Sequence, residues 1–227
     1  MKKYYEAYED RYKKIHQETG LAWAGEKPSQ TIIDLLKKYH ADENSSILEV
    51  GCGEGQNAFN VLAHHYNNLD AFDVSKEAIS WCKINAKNLG LSESHFFVAD
   101  ALKDKLNKKY DFIYSVAVLH MLVEDEDRNK FLSFFYDHLN DNGKGFIIIM
   151  GDGKETRKTD PTKAFELADR PFGDQTVQVA TTSCRMVTWE QFLSELAKAN
   201  LKVINKYLDY TISGFNVSMV AEVEKAF

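Results

Sequence analysis

Apolar positions along this chain gather into short runs separated by longer amphipathic segments. The runs are 46–50 (SILEV), 69–73 (LDAFD), 95–99 (HFFVA), 111–115 (DFIYS) and 145–150 (GFIIIM). Between them, 55–66, 75–88 and 126–139 have helical spacing, with Phe131, Leu132, Phe135 and Leu139 on one side of the last. Short apolar strands alternating with helices predict an α/β fold, a doubly wound, mostly parallel sheet covered on both faces. Two further helices, 2–18 and 29–40, precede the first strand, and Asn142-Gly143 predicts a turn before the fifth.

The pattern breaks after Met150. Residues 151–187 are polar and carry Gly151, Gly153, Pro161, Pro171 and Gly173, so they read as one long irregular connection of the kind that forms lids. Thr188 and Gln191 fit a capping box for a helix reaching about 199. The runs 201–210 and 212–223 follow without a helix between them, which predicts an antiparallel hairpin at the sheet's edge.

The first strand leads into the chain's most informative segment, ILEVGCGEGQN at 47–57. Gly51, Gly53 and Gly55 make a strand–turn–helix junction in which backbone can approach a ligand closely. Three carboxylates stand at three strand ends: Glu49, Asp73 and Asp100. Ligands of open α/β sheets bind beyond those ends. Asp73 suits a ribose diol, but an acid at that distance also belongs to dinucleotide-binding turns. The glycines discriminate, because a dinucleotide turn needs glycine at the position held here by Gln56.

Composition narrows the partners. The 227 residues are 44% hydrophobic with a net charge of −6, which supports a substantial core and gives no large basic field for nucleic acid. The longest apolar strand end, 146–150, is too short to span a bilayer, and the start MKKYYEAYED has no signal-peptide core. Three cysteines without metal spacing read as reduced thiols of a cytoplasmic protein, with no metal site expected.

The glycine turn after an acid-ended strand, Asp73 at the second strand end and Ala99-Asp100-Ala101 after the third resemble the class I S-adenosylmethionine-dependent methyltransferases over about 45–150. The resemblance implies a Rossmann-like seven-stranded sheet of order 3-2-1-4-5-7-6 and S-adenosylmethionine as cofactor, with S-adenosylhomocysteine as product. It implies that Gly51 and Gly53 line the cofactor and Glu49 lies near its methionyl end. Asp73 would hold the ribose, with Val74 beside the adenine. Asp100 would accept from the adenine amino group, with Ala101 adjacent, and Ser115 and Val116 would face the reacting end. His120, just beyond, is a candidate general base, the alternative being a packed histidine. Strand four continues as SVAV rather than as the Asn-Pro-Pro-aromatic motif of nucleic-acid amine methylases.

The expected organisation is a single domain, 1–227: an N-terminal helical cap (1–44), a cofactor-binding core (45–150), a lid-like insertion (151–187), and a C-terminal helix and hairpin (188–227). Tyr12, His16 and Trp23 are candidate cap residues over the cofactor, with plain packing as the alternative. Asp152, Arg157 and Arg185 are candidate lid residues for a polar or anionic substrate. The expected reaction is methyl transfer to a small molecule bearing a thiol, chalcogen, amine or hydroxyl nucleophile. The competing readings are an RNA or protein methyltransferase, a nicotinamide-dependent oxidoreductase and a non-catalytic cofactor-binding regulator.

Overall fold

The structure is a computed structural model describing residues 2–18, 20, 27–172 and 175–226. After a 3-10 turn at Tyr4–Glu6, the chain forms α1 (Ala7–Glu18) and α2 (Gln30–Lys38). Strand and helix then alternate through β1 (Ile47–Val50), α3 (Gln56–Ala63), β2 (Leu69–Asp73), α4 (Lys76–Asn88), β3 (Phe96–Val98), β4 (Tyr110–Val116), α5 (Asp125–His138) and β5 (Leu139–Met150). Four short strands follow: β6 (Arg157–Lys158), β7 (Leu167–Phe172), β8 (Gln175–Ala180) and β9 (Arg185–Met186). The chain closes with α6 (Trp189–Lys198), β10 (Leu201–Asp209) and β11 (Ser218–Lys225).

Seven strands form one sheet in the order β3-β2-β1-β4-β5-β11-β10. With the four insertion strands set aside, this is the expected 3-2-1-4-5-7-6. The first five strands run parallel, and β11 is antiparallel to both β5 and β10. Alternate residues feed two apolar layers. Leu48, Val50, Ile113, Ile147 and Ile149 pack in one layer with Phe131, Phe135 and Phe192 from α5 and α6. Ile47, Phe112, Tyr114, Phe146 and Ile148 pack in the other with Ile32, Leu36, Val61 and Ile79 from α2, α3 and α4. Full burial of such a side chain contributes about 1.5–3 kcal/mol each, which explains why the strands read as near-continuous apolar runs.

Two expectations change. Asn142-Gly143 lies inside β5 rather than before it. The ladder absorbs these residues in a bulge: Tyr110 pairs with Leu139 and Phe112 with Lys144, so two steps along β4 match five along β5. Residues 151–187 are also ordered into two antiparallel ribbons, β6–β9 and β7–β8. In β8 only Val177, Val179 and Ala180 are buried, and Val177 and Val179 pack on Tyr12 and Ile15 of α1. The ribbon's core is thus supplied by the cap helix, which a local reading of the segment does not contain. The capping box at Thr188 and Gln191 forms as expected.

Candidate functional site

The glycine turn joins β1 to α3 and is shaped by close approach. Gly51 and Gly53 have φ values of 76° and 54°. A Cβ on Gly51 would lie 2.5 Å from Val118 Cγ2, and one on Gly53 would lie 2.8 Å from the Tyr12 hydroxyl. Both positions therefore demand glycine, for backbone angle and for space. The amides of Gly51 and Cys52 donate to Phe72 O at 2.8 and 2.9 Å, extending the β1–β2 ladder into the turn.

The three acids border one cavity of about 610 Å³. This falls within the range of roughly 300–1,000 Å³ usual for small-ligand sites. Asp73 accepts from the Gly53 amide through Oδ2 and from the Ser75 amide through Oδ1, both at 2.9 Å. It thus closes the turn before α4 while facing the cavity. Asp100 accepts from the Tyr5 hydroxyl at 2.9 Å, the Leu102 amide at 2.9 Å and the Lys103 ammonium at 2.8 Å. Glu49 is 1% exposed and accepts from the Tyr114 hydroxyl at 3.0 Å. Burial drives its carboxyl up to about 8, partly offset by hydrogen bonds from Tyr114 and Asn57. Asn57 in turn accepts from the Ser29 amide at 2.7 Å, tying the segment before α2 to this wall. Val74, Ala101 and Val116 also line the cavity, as expected of them.

Ser115 does not. It is fully buried, and its Oγ has no hydrogen-bond partner. Side chains alternate along β4, so with Val116 on the cavity wall its neighbour points away. His120 does line the cavity, on a 3-10 turn at Leu119–Met121. Its Nδ1 accepts a long 3.4 Å hydrogen bond from the Met150 amide, and its ring meets Phe215 edge-on. Burial, then the nearby Arg128 guanidinium, push its pKa down to about 3. A ring neutral at pH 7 with Nδ1 accepting carries its proton on Nε2, which suits a hydrogen-bond donor better than a base. Arg128 holds this turn. Its Nη1 donates to Leu119 O at 2.7 Å, and it pairs with Glu195 through Nε and Nη2 at 2.8 and 2.6 Å.

The cap contributes Tyr5, Tyr8, Arg11 and Tyr12 to the wall. His16 faces elsewhere. Its Nε2 meets Glu54 at 2.6 Å and its Nδ1 meets Glu77 at 2.9 Å, so it fastens α1 to the glycine turn and α4. The reason is register: Tyr8 and Tyr12 follow the cavity, while one turn on the helix has passed its edge. Trp23 lies outside the described residues. Of the lid candidates, Arg157 lines the cavity. Asp152 instead accepts from the Lys154 amide at 2.9 Å in a local turn. Arg185 donates to Val123 O at 3.0 Å and pairs with Asp125, away from the cavity. The sequence reading missed Arg11, Arg170, Thr182 and Phe215, all on the wall. For Arg11 a signal existed, since it stands between Tyr8 and Tyr12, which share one face of the helix at four-residue spacing.

The sheet order is that of the Rossmann-like methyltransferase fold. Residues 47–143 match the family model described as a methyltransferase domain. Phosphoethanolamine N-methyltransferase 3 of Arabidopsis thaliana is 25% identical over 202 residues, covering 88% of this chain and 39% of that protein. EEF1A lysine methyltransferase 2 of Mus musculus is 27% identical over 104 residues, covering 44% of this chain and 43% of that one. The chain thus spans about two fifths of the length of these curated relatives. Among solved structures, Burkholderia thailandensis 1,6-didemethyltoxoflavin-N1-methyltransferase with bound 1,6-didemethyltoxoflavin and S-adenosylhomocysteine superposes with a TM-score of 0.70. It is 14% identical, with 99% of this chain and 89% of that one covered, and shows the shared fold.

Proposed function

We propose that this chain is an S-adenosylmethionine-dependent methyltransferase acting on a small molecule. The observation that carries the reading is one cavity bounded by the two clash-limited glycines and by Glu49, Asp73 and Asp100. These residues fit the cofactor. The Gly51–Gly53 turn leaves room for close approach, Asp73 keeps lone pairs for a ribose diol, and Asp100 is placed beside Ala101 for an adenine amino group. Glu49, with its raised carboxyl, suits the amino group at the methionyl end, flanked by Lys27, Ser29 and Asn57.

When bound, the cofactor supplies a methyl group on a cationic sulfur, ready for in-line displacement. The chain's own residues then need to position, dry and orient. Tyr8 and Tyr12 from α1 and Thr181–Cys184 from the lid close over the strand ends and keep water out. The His120 Nε2–H orients an acceptor lone pair, and Arg128 fixes the turn that presents it. A base is required only if the nucleophile arrives protonated.

The cavity of about 610 Å³ supports a small acceptor. A protein acceptor is the second reading, favoured by the name of the mouse lysine methyltransferase. Calorimetric titration with S-adenosylhomocysteine tests the cofactor assignment. Asp73→Ala is expected to weaken that binding by at least about tenfold, since it removes the ribose acceptor and strands the Gly53 and Ser75 amides. Unchanged affinity in the variant would overturn the assignment. A labelled-donor screen over small amines, thiols, phenols and a denatured-protein panel then separates the two acceptor readings.

A further inference from the structure

The chain leaves β4 through Ala117, which holds φ 62°, and passes through the turn Leu119–Met121 into α5. Strain of this kind persists where the surroundings over-determine the backbone. A 3-10 turn of three residues has few and poorly aligned hydrogen bonds of its own. Here side chains supply the rest. Four of the five carbonyls from Leu119 to Val123 accept from them. From α5, the Arg128 Nη1 donates to Leu119 O at 2.7 Å and to Leu122 O at 3.2 Å. From the lid, the Ser183 Oγ donates to Met121 O at 2.7 Å and the Arg185 Nη1 to Val123 O at 3.0 Å. The cap adds Tyr4, whose hydroxyl accepts from the Val123 amide at 3.1 Å.

One carboxylate joins the inner arginine to the outer one. Glu195 of α6 accepts from the Arg128 Nε and Nη2 at 2.8 and 2.6 Å, and the Arg185 Nη2 lies 3.7 Å from Glu195 Oε1. Buried ion pairs add little net stability over apolar packing, whereas a forked guanidinium fixes direction. The segment held in this way carries His120, 5% exposed, to the cavity wall. It begins against the glycine turn, where Val118 Cγ2 would lie 2.5 Å from a Cβ on Gly51. The His120 ring is held by the long 3.4 Å bond from the Met150 amide and by its edge-on contact with Phe215, so its aim follows the turn. We propose that Arg185 is a positioning residue, which from the lid sets the turn that aims His120 at the methyl acceptor. This proposal rests on the methyltransferase reading above and adds the lid's part in it. The cover over the acceptor and the histidine that meets it are fixed to one segment.

The test uses the full chain with isotope-labelled histidine, both free and saturated with S-adenosylhomocysteine. Long-range proton–nitrogen correlations read the tautomer of each ring, and His120→Asn assigns the signal. The unmodified chain is expected to show His120 as one neutral form with its proton on Nε2. Arg185→Gln should replace that pattern with a mixture of both tautomers, because the loosened turn gives up the Met150 bond. Lys158→Gln is the control. Lys158 pairs with Arg185 across the β6–β9 ribbon but reaches only Glu124, at 3.2 Å on the surface. Its loss should leave the His120 pattern as it was. Both variants should melt within about 4 °C of the unmodified chain. The proposal is overturned if His120 keeps its single pattern in Arg185→Gln, or if Lys158→Gln disturbs it equally, which would make any loosening of the lid sufficient. A larger fall in melting temperature for Arg185→Gln also overturns it, since the residue would then serve the fold. Failure of the unmodified chain to bind S-adenosylhomocysteine would instead remove the parent reading, while the free-chain spectra still report whether Arg185 sets the ring.

Discussion

Glu49 is a proton store beneath the rim of the sheet. Its carboxyl titrates near 8 in the folded chain, against an ordinary value of 4.5. Between those values the folded state holds a proton that the unfolded state has released. The stability this contributes is full below about pH 4.5 and is lost as pH rises through about 8. Glu49→Gln should flatten that alkaline decline in melting curves recorded from pH 5 to 9. His120 has the opposite sign. Its pKa lies near 3 against an ordinary 6.5, so its contribution is present above 6.5 and fades as pH falls toward 3. A ligand ammonium beside Glu49 would favour the carboxylate and expel the proton. S-adenosylhomocysteine affinity should then rise with pH up to about 8, by at most about tenfold per unit. Calorimetry at pH 6, 7 and 8 in two buffers of different ionisation enthalpy reads both the affinity and the released proton. A pH-independent affinity would show that Glu49 does not meet the amino group. The acids were legible in the sequence because strand ends and glycines fix their neighbourhood within a few residues. Arg170 was not, because its place on the wall depends on a ribbon that packs on α1 yet lies beyond the whole core in sequence.

At the scale of elements, α1 behaves as a fastened flap. Glu9 accepts from the Ser75 hydroxyl at 2.7 Å and the Glu77 amide at 3.1 Å, at the start of α4. His16 adds its contacts to Glu54 and Glu77 about two turns later. Each hydrogen bond with a charged partner is worth about 1.5–3 kcal/mol, so the two clasps hold the flap firmly only together. His16→Ala should leave the sheet folded and raise amide exchange across residues 7–18. S-adenosylhomocysteine binding should weaken about three- to tenfold, because Glu54, now unpartnered by the ring, is part of the glycine turn. Exchange unchanged in α1 would mean that the Glu9 clasp suffices. The helices and the sheet strands were readable because their apolar faces recur with a regular period. The lid ribbons escaped because β6 and β9 are two residues long and β8 buries its valines on another element. The alternation of Val177 and Val179 was their one local trace.

For the molecule as a whole, the strand reversal between β1 and β4 puts the glycine turn and the end of β4 on either side of one crevice. Cap and lid then roof that crevice without joining the seven-stranded sheet. The β7–β8 ribbon forms its own two-stranded sheet and rests Val177 and Val179 on α1. The ribbon touches the core through Ala180 of β8, which packs in the layer that holds Leu48 and Phe131. A ligand under the roof at about 100 times its Kd adds about 2.7 kcal/mol to stability. For a domain of this size that raises Tm by roughly 5–10 °C. Replacing residues 167–180 with a short Gly-Ser turn should leave a cooperative melt, since no sheet strand is cut. It should also reduce the S-adenosylhomocysteine shift at fixed ligand concentration, because Tyr12 and Ile15 lose the valines that hold α1 down. An equal shift in both proteins would mean that the roof contributes nothing to cofactor binding and serves the acceptor alone. Collapse of the melt in the variant would instead show that the Ala180 contact ties the stability of the ribbon to that of the core.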